Sequence, residues 1–316
     1  MIIDVIGAGA LGLLYGGRLA ASGELIRLWV RTEEQASELG KNGIHITDPK
    51  GHTSKVQVSN LQIYVINRFK EIWEGQPGDL MMIMTKQGAI NDVIEMLTSA
   101  DVDIPIYCFQ NGTGHTRKIA SALPKAYVFA AVTTEGAKRT SKHEVIRAGY
   151  GETLLQSCEE DQTKAVNVMM YFIEALSKAG FTTKSSNEID KLVYRKLMIN
   201  AIINPLTSIW RITNGELLHS SYRLQAMKQL YIEAALVYDA LSIPYEADLW
   251  EQVIQVCRST ASNRSSMCTD VVNGKATEID AINGSIIDMA KEAGVATPGH
   301  ELVYKIVQGM LIEEEV

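Results

Sequence analysis

The chain opens MIIDVIGAGALG, and no other stretch limits its fold as much. Ile2–Ile6 reads as a short buried strand, and Leu11–Ser22 carries a helical pattern. Between them Gly7, Gly9 and Gly12 form G-x-G-x-x-G. Alone that spacing is a weak signal, but between a strand and a helix it describes a βα turn with divided roles. The first glycine makes the tight turn, the second lets a pyrophosphate approach the backbone, and the third packs helix on strand. Helix N-terminal N–H groups then face the phosphates. Gly7, Ala8, Gly9, Ala10, Leu11 and Gly12 are therefore read as a dinucleotide-binding loop, against the plainer reading of a glycine turn without ligand.

The rest of the first half alternates β-rich runs with helical patterns, as a doubly wound α/β sheet requires. Ile26–Val30, Leu80–Thr85, Ile104–Phe109 and Tyr127–Val132 are expected as further parallel strands. Alternation and glycine turns at 43–58 and 144–156 suggest antiparallel additions at the sheet edge. A helix over Thr163–Ala179 and a strand at Phe181–Lys184 close this half. From Glu188 the strand signals vanish, and helical patterns follow at Glu188–Thr207, Leu224–Leu241, Ala247–Thr260, Ile279–Ala293 and near His300–Leu311. The expected class is α/β: a Rossmann-type doubly wound domain over 1–187 and an all-helical domain over 188–316. The acidic end EEEV reads as a solvated tail.

Charge and composition exclude several classes of function. A net charge of −7 without a Lys/Arg cluster argues against a nucleic-acid partner. No apolar run approaches the roughly 18 residues of a membrane span. The chain enters its first strand without a secretory signal pattern, so a cytoplasmic protein is expected. Cys108, Cys158, Cys257 and Cys268 are widely spaced, without a C-x-x-C pair, and read as reduced thiols, with no metal site expected. His115, His143 and His219 are scattered and carry no catalytic assignment.

The second strand ends in Arg31. An acid there would bind a ribose 2′-hydroxyl, whereas arginine can pair with a 2′-phosphate, which points to NADP(H). The plainer reading is a solvated strand-end arginine, with Glu33 and Glu34 close behind. Two loops at later strand ends, TKQG with Lys86 and QNGTG with Asn111, occupy positions where open α/β sheets bind ligands. Each also suits an ordinary turn.

The second half holds a run that composition alone does not explain. In YRKLMINAIINPLTSI, Lys196, Asn200 and Asn204 recur at steps of four on an otherwise apolar helix, so their side chains share one stripe. Buried ammonium and amide groups cost free energy unless something satisfies them, which marks the stripe as a candidate site. Simpler accounts stand beside this one. Lys196 could snorkel to solvent, and Asn204, before Pro205, could end or kink the helix. Glu278 could be only a first-turn acid, since Thr277 and Asp280 have capping-box spacing. Asn263, Ser266 and Asp270 could form a solvated face.

Taken in order, GAGALG, TKQG, QNGTG, YRKLMINAIINPLTSIWRITNGEL and TEIDAING closely resemble the ketopantoate reductase (2-dehydropantoate 2-reductase) family over nearly the whole length. The second-domain block is more specific than the glycine fingerprint. The resemblance implies an active site in the cleft between the two domains and NADPH reduction of a small 2-oxo acid, ketopantoate, to pantoate on the route to pantothenate and coenzyme A. It implies Lys196 as general acid, and Glu278 as the carboxylate that holds the substrate hydroxyl and positions the lysine. Asn111, Asn200, Asn204 and Ser266 are implied as substrate contacts. Arg31, Lys86, Asn111 and Glu278 join the glycine loop as implied cofactor contacts. The family also allows a homodimer through the helical domain, which no stripe in these helices demands. Two rivals stay open: a paralogous reductase of another branched 2-oxo acid, and a non-catalytic NADP(H) sensor.

Overall fold

The structure is a computed structural model that describes residues 1–56, 58–159 and 162–310. The chain divides into two compact units, one formed by 1–110 with 114–189 and the other by 111–113 with 190–316. The short segment Asn111–Thr113 thus groups with the helical half, although the sequence reading places it in the first domain.

In the first unit, β1 (Ile2–Ile6) leads into α1 (Ala10–Ala21), then β2 (Leu25–Val30) and α2 (Glu33–Asn42). A hairpin of β3 (Ile44–Thr47) and β4 (Thr53–Val56) precedes β5 (Leu61–Val65) and α3 (Phe69–Gly75). Next come β6 (Leu80–Ile83), α4 (Ile90–Thr98), β7 (Pro105–Cys108), α5 (His115–Ala122) and β8 (Tyr127–Thr133). The unit ends with β9 (Gly136–Arg139), β10 (Glu144–Gly149), β11 (Glu152–Gln156), α6 (Thr163–Lys178) and β12 (Thr182–Ser186).

Among the described residues the main sheet runs β12-β11-β8-β7-β6-β1-β2-β5. β5 to β8 of that order pair in parallel, and β11 joins antiparallel to β8. Its central strands bury both faces. Ile3, Val5, Leu28 and Met82 enter one core cluster, while Ile6, Trp29, Met81 and Ile83 enter the other. That double burial is why these strands read as unbroken apolar runs. The two charges inside them pair with each other: Asp4 accepts from Arg27 at 2.8 and 2.7 Å, and from the Trp29 indole at 2.7 Å. Strand order reverses between β1 and β6, the switch point at which a doubly wound sheet opens a ligand crevice.

One expectation needs correction. The strands within 43–58 and 144–149 do not extend the edge of the main sheet; they build a second sheet, β4-β3-β10-β9, in which β3 and β10 run parallel. Of the 144–156 stretch, only β11 joins the main sheet. Gly17 of α1 explains the close packing, because a Cβ there would lie 2.9 Å from Ile46 of β3.

The second unit is helical: α7 (Ile189–Trp210), α8 (Ser221–Ala240), α9 (Leu249–Ser259), α10 (Ser266–Val272), α11 (Ser285–Ala293) and α12 (Pro298–Gln308). A five-residue π-helical segment, Asp280–Gly284, runs into α11. Leu197, Met198, Ala201, Ile202 and Leu206 of α7 join α8, α9 and α11 in one apolar core. Among the described residues no helix is long and apolar enough to cross a membrane. The acidic EEEV end lies outside the described residues.

Candidate active site

In the first unit, the fingerprint glycines are required by geometry. Gly7 has φ +102°, and a Cβ there would approach Thr85 to 2.8 Å. A Cβ at Gly12 would lie 1.9 Å from the Gly7 carbonyl oxygen, so only glycine lets α1 start this close to the turn. Gly9 differs: a Cβ there would meet nothing within 4 Å, which leaves its backbone open to an approaching group. Gly9 caps α1 with no side-chain hydrogen bond, and no acid occupies the first turn. Unsatisfied N–H groups at an uncapped, acid-free helix start suit a dinucleotide pyrophosphate.

Around this loop lie the other candidate cofactor residues. Arg31 is exposed directly after β2. Thr32 caps α2 by accepting from the Gln35 N–H at 3.2 Å, and the Gln35 amide donates to the Ala8 carbonyl at 3.0 Å. The start of α2 is thereby tied to the glycine loop. Lys86 is exposed beyond β6. The amide of Gln110 donates to the carbonyls of Ile83 at 2.9 Å and Thr85 at 3.1 Å, binding the QNG loop to the TKQG loop.

In the second unit, α7 continues unbroken through Pro205 to Trp210, so Asn204 does not end the helix. Proline has no N–H for the Ala201 carbonyl four residues earlier. The amide of Asn283 donates to that carbonyl instead, at 2.9 Å. Lys196 and Asn200 are half-buried on α7, while Asn204 is buried. Burial pushes the Lys196 ammonium down to about 8, and the Glu278 carboxylate partly opposes that shift. Charge coupling of this kind argues against a lysine that simply snorkels to water.

Glu278 accepts a hydrogen bond from the Asn111 amide at 2.9 Å. Asn111, Glu278 and Lys196 are thus linked within the second unit by one hydrogen bond and one charge interaction. The proposed capping box does not form: Thr277 Oγ1 accepts only a long bond, 3.4 Å, from the Ile279 N–H. The Asp280 carboxylate instead accepts from Tyr304 at 2.6 Å and Gln308 at 2.7 Å. Glu278 also lies two residues before the π-helical turn, a distortion often found at functional positions. Ser266 is exposed at the first position of α10. Its neighbour Ser265 is the structural one: its hydroxyl accepts from the Cys268 N–H at 3.0 Å and bonds Thr207 at 2.8 Å.

Sequence reasoning missed the support behind α7. Asn283 bonds His300 Nδ1 at 3.0 Å, and His300 Nε2 bonds the Leu230 carbonyl at 2.9 Å. A carbonyl only accepts, so Nε2 carries the proton and Nδ1 accepts from Asn283. The asparagine in TEIDAING was a visible signal; its partner His300 was not. His45, His143 and Glu144 also gather, with ligand atoms within 4.8 Å of one another. Glu144 lies 3.8 Å from His45, and Glu38 lies 3.3 Å from His143.

Comparison with known proteins agrees with this geometry. Residues 3–160 match the family described as ketopantoate reductase PanE/ApbA, and 188–311 match its C-terminal domain. A 2-dehydropantoate 2-reductase of Listeria innocua is 30% identical over 316 residues, covering 99% of this chain and 98% of that protein. The crystal structure of a probable 2-dehydropantoate 2-reductase from Bacillus subtilis matches with TM-score 0.79 at 26% identity, covering 98% of this chain and all of the other (100%). A ternary D-mandelate dehydrogenase structure with NADH and anilino(oxo)acetate matches with TM-score 0.86 at 26% identity, covering 98% of each chain. With both sequence halves matched and a relative aligned from end to end, the chain belongs to the ketopantoate reductase family.

Proposed function

We propose that this protein uses NADPH to reduce the 2-oxo group of 2-dehydropantoate, giving pantoate for pantothenate and coenzyme A synthesis. The observation that carries the reading is Lys196: an ammonium held on an apolar helix, pushed down to about 8, and coupled to Glu278. A reduced nicotinamide supplies the hydride. Hydride arrival at a ketone carbon leaves negative charge on oxygen, which calls for a proton donor or cation. Lys196 serves as both, and an acid near pH 8 donates more readily than an ordinary lysine near ~10.4. Glu278 keeps the lysine charged before the reaction and holds the substrate hydroxyl, and Asn111 fixes the carboxylate. Asn200, Asn204 and Ser266 contact the substrate in this reading. The glycine loop, Lys86 and Arg31 hold the cofactor, with Arg31 on its 2′-phosphate.

The test is a panel of 2-oxo acids with each cofactor, followed by absorbance loss: ketopantoate, 2-oxoisovalerate, pyruvate and phenylglyoxylate, with NADPH and NADH. Highest kcat/KM for ketopantoate with NADPH is the expected result. The likeness to an NADH-bound D-mandelate dehydrogenase supports one rival, a reductase of aromatic 2-oxo acids using NADH. Preference for phenylglyoxylate and NADH would establish that rival. Tight NADPH binding with no turnover of any acid would favour a sensor.

A further inference from the structure

Arg139 ends β9, far from every motif in the chain, yet its side chain reaches the glycine fingerprint. Its Nη1 donates to the Ala8 carbonyl at 3.2 Å across 131 residues of sequence. The same carbonyl accepts from Gln35 in the first turn of α2, and that helix begins two residues after Arg31. The fingerprint loop, the start of α2 and the end of β9 therefore meet at one carbonyl. Arg139 is exposed, and among the described residues it forms no ion pair. A guanidinium has five N–H donors, so the bond to Ala8 orients the group without exhausting it.

Charge around this junction supports an anion. Glu34 and Glu38 of α2 follow Arg31 closely and would oppose one. Lys142, three residues beyond Arg139, pairs with Glu34 and lies 3.9 Å from Glu38. Lys142 compensates those two carboxylates, Glu33 stays exposed to solvent, and Arg31 and Arg139 form no ion pair among the described residues.

We propose that Arg139 is a second specificity-determining residue, binding with Arg31 the 2′-phosphate that distinguishes NADPH from NADH. This rests on the reading of the glycine loop as an NADPH site. A phosphomonoester carries roughly −1.5 to −2 charge and three acceptor oxygens, more than one guanidinium fork satisfies. Arg31 follows β2 two residues before α2, and Arg139 reaches the junction from the end of β9, so guanidiniums from separate strands can together clamp such a group.

Equilibrium binding tests this without turnover. Dissociation constants for NADPH, NADH and 2′,5′-ADP are measured on the full chain by calorimetry, for wild type, Arg139→Gln, Arg139→Lys and Arg31→Ala. Glutamine keeps a donor for Ala8 and removes the charge. Arg139→Gln is expected to weaken NADPH and 2′,5′-ADP by about 10-fold or more, the usual scale for hydrogen bonds to charged groups, with NADH changed less than about twofold. Arg139→Lys should recover part of the loss. Equal losses for NADPH and NADH would place Arg139 on the pyrophosphate or the loop itself and overturn the proposal, as would unchanged NADPH binding in Arg139→Gln. If wild type binds both cofactors alike, the NADPH reading fails together with this one. If wild type prefers NADPH and Arg139→Gln keeps that preference, only the role of Arg139 is lost.

Discussion

At the scale of single residues, the decisive question is the protonation state of Lys196. Burial disfavours its charged form, and Glu278 partly restores it, leaving the group near 8. A general acid works only while protonated, so the chemical step should slow as pH rises through about 8, well before an ordinary lysine would titrate. Measuring single-turnover reduction from pH 6 to 10 checks this; a rate still flat above pH 9 would exclude Lys196 as the acid. Lys196→Ala should lower kcat by at least ~100-fold and leave NADPH affinity near wild type. Glu278→Gln removes the carboxylate that raises the lysine, so the alkaline limb should move to lower pH while KM rises. An unmoved limb would mean that the charge coupling has no kinetic role. Neither periodicity nor spacing reports the bond between Asn111 and Glu278, which spans 167 residues. The glycine roles were legible because a steric need of a βα turn is local.

At the scale of elements, α7 shows how a helix tolerates proline on the run that carries Lys196. The Ala201 carbonyl left open by Pro205 is satisfied from the π-helical turn by Asn283, which is held in turn by His300. Replacing Asn283 with Leu strands that buried carbonyl, and should cost about 1–3 kcal/mol in chemical denaturation. Burial, more than any other influence, lowers the His300 pKa below 6.5 and keeps the ring neutral. The sign follows from proton counting. Just below pH 6.5 the unfolded chain binds a proton that the folded ring refuses, so this contribution is complete above 6.5 and is lost as pH falls. Wild-type stability should therefore drop between pH 6.5 and 5 more steeply than that of His300→Gln; parallel curves would show that the ring titrates alike in the folded and unfolded states. The chain pattern could place these helices because each shows its own periodicity. It could not join Asn283 to Ala201, 82 residues away, nor foresee that Tyr304 and Gln308 would draw Asp280 out of capping-box use.

At the scale of the whole molecule, what was legible separates by range of interaction. The parallel strands that flank the switch point and the long helices announce themselves through burial on both faces or on one stripe. The second sheet does not, because β3 meets β10 about a hundred positions later and alternation alone cannot choose between two sheets. β5, with half-buried Gln62, Ile63 and Tyr64 inside its run, lacks the unbroken apolar signature of its neighbours and was not anticipated. Cofactor preference is a property of the same order, since the groups proposed to set it come from the ends of β2 and β9. It should appear as stability. A ligand that binds only the folded chain adds about 2.7 kcal/mol at one hundred times its dissociation constant. NADPH at a fixed concentration should therefore raise the unfolding midpoint above that seen with equal NADH, and Arg31→Ala should erase the difference by lowering the NADPH midpoint alone. A midpoint raised equally by both cofactors in wild type would show that the arginine after β2 does not select the phosphate, and the preference for NADPH would have to be abandoned.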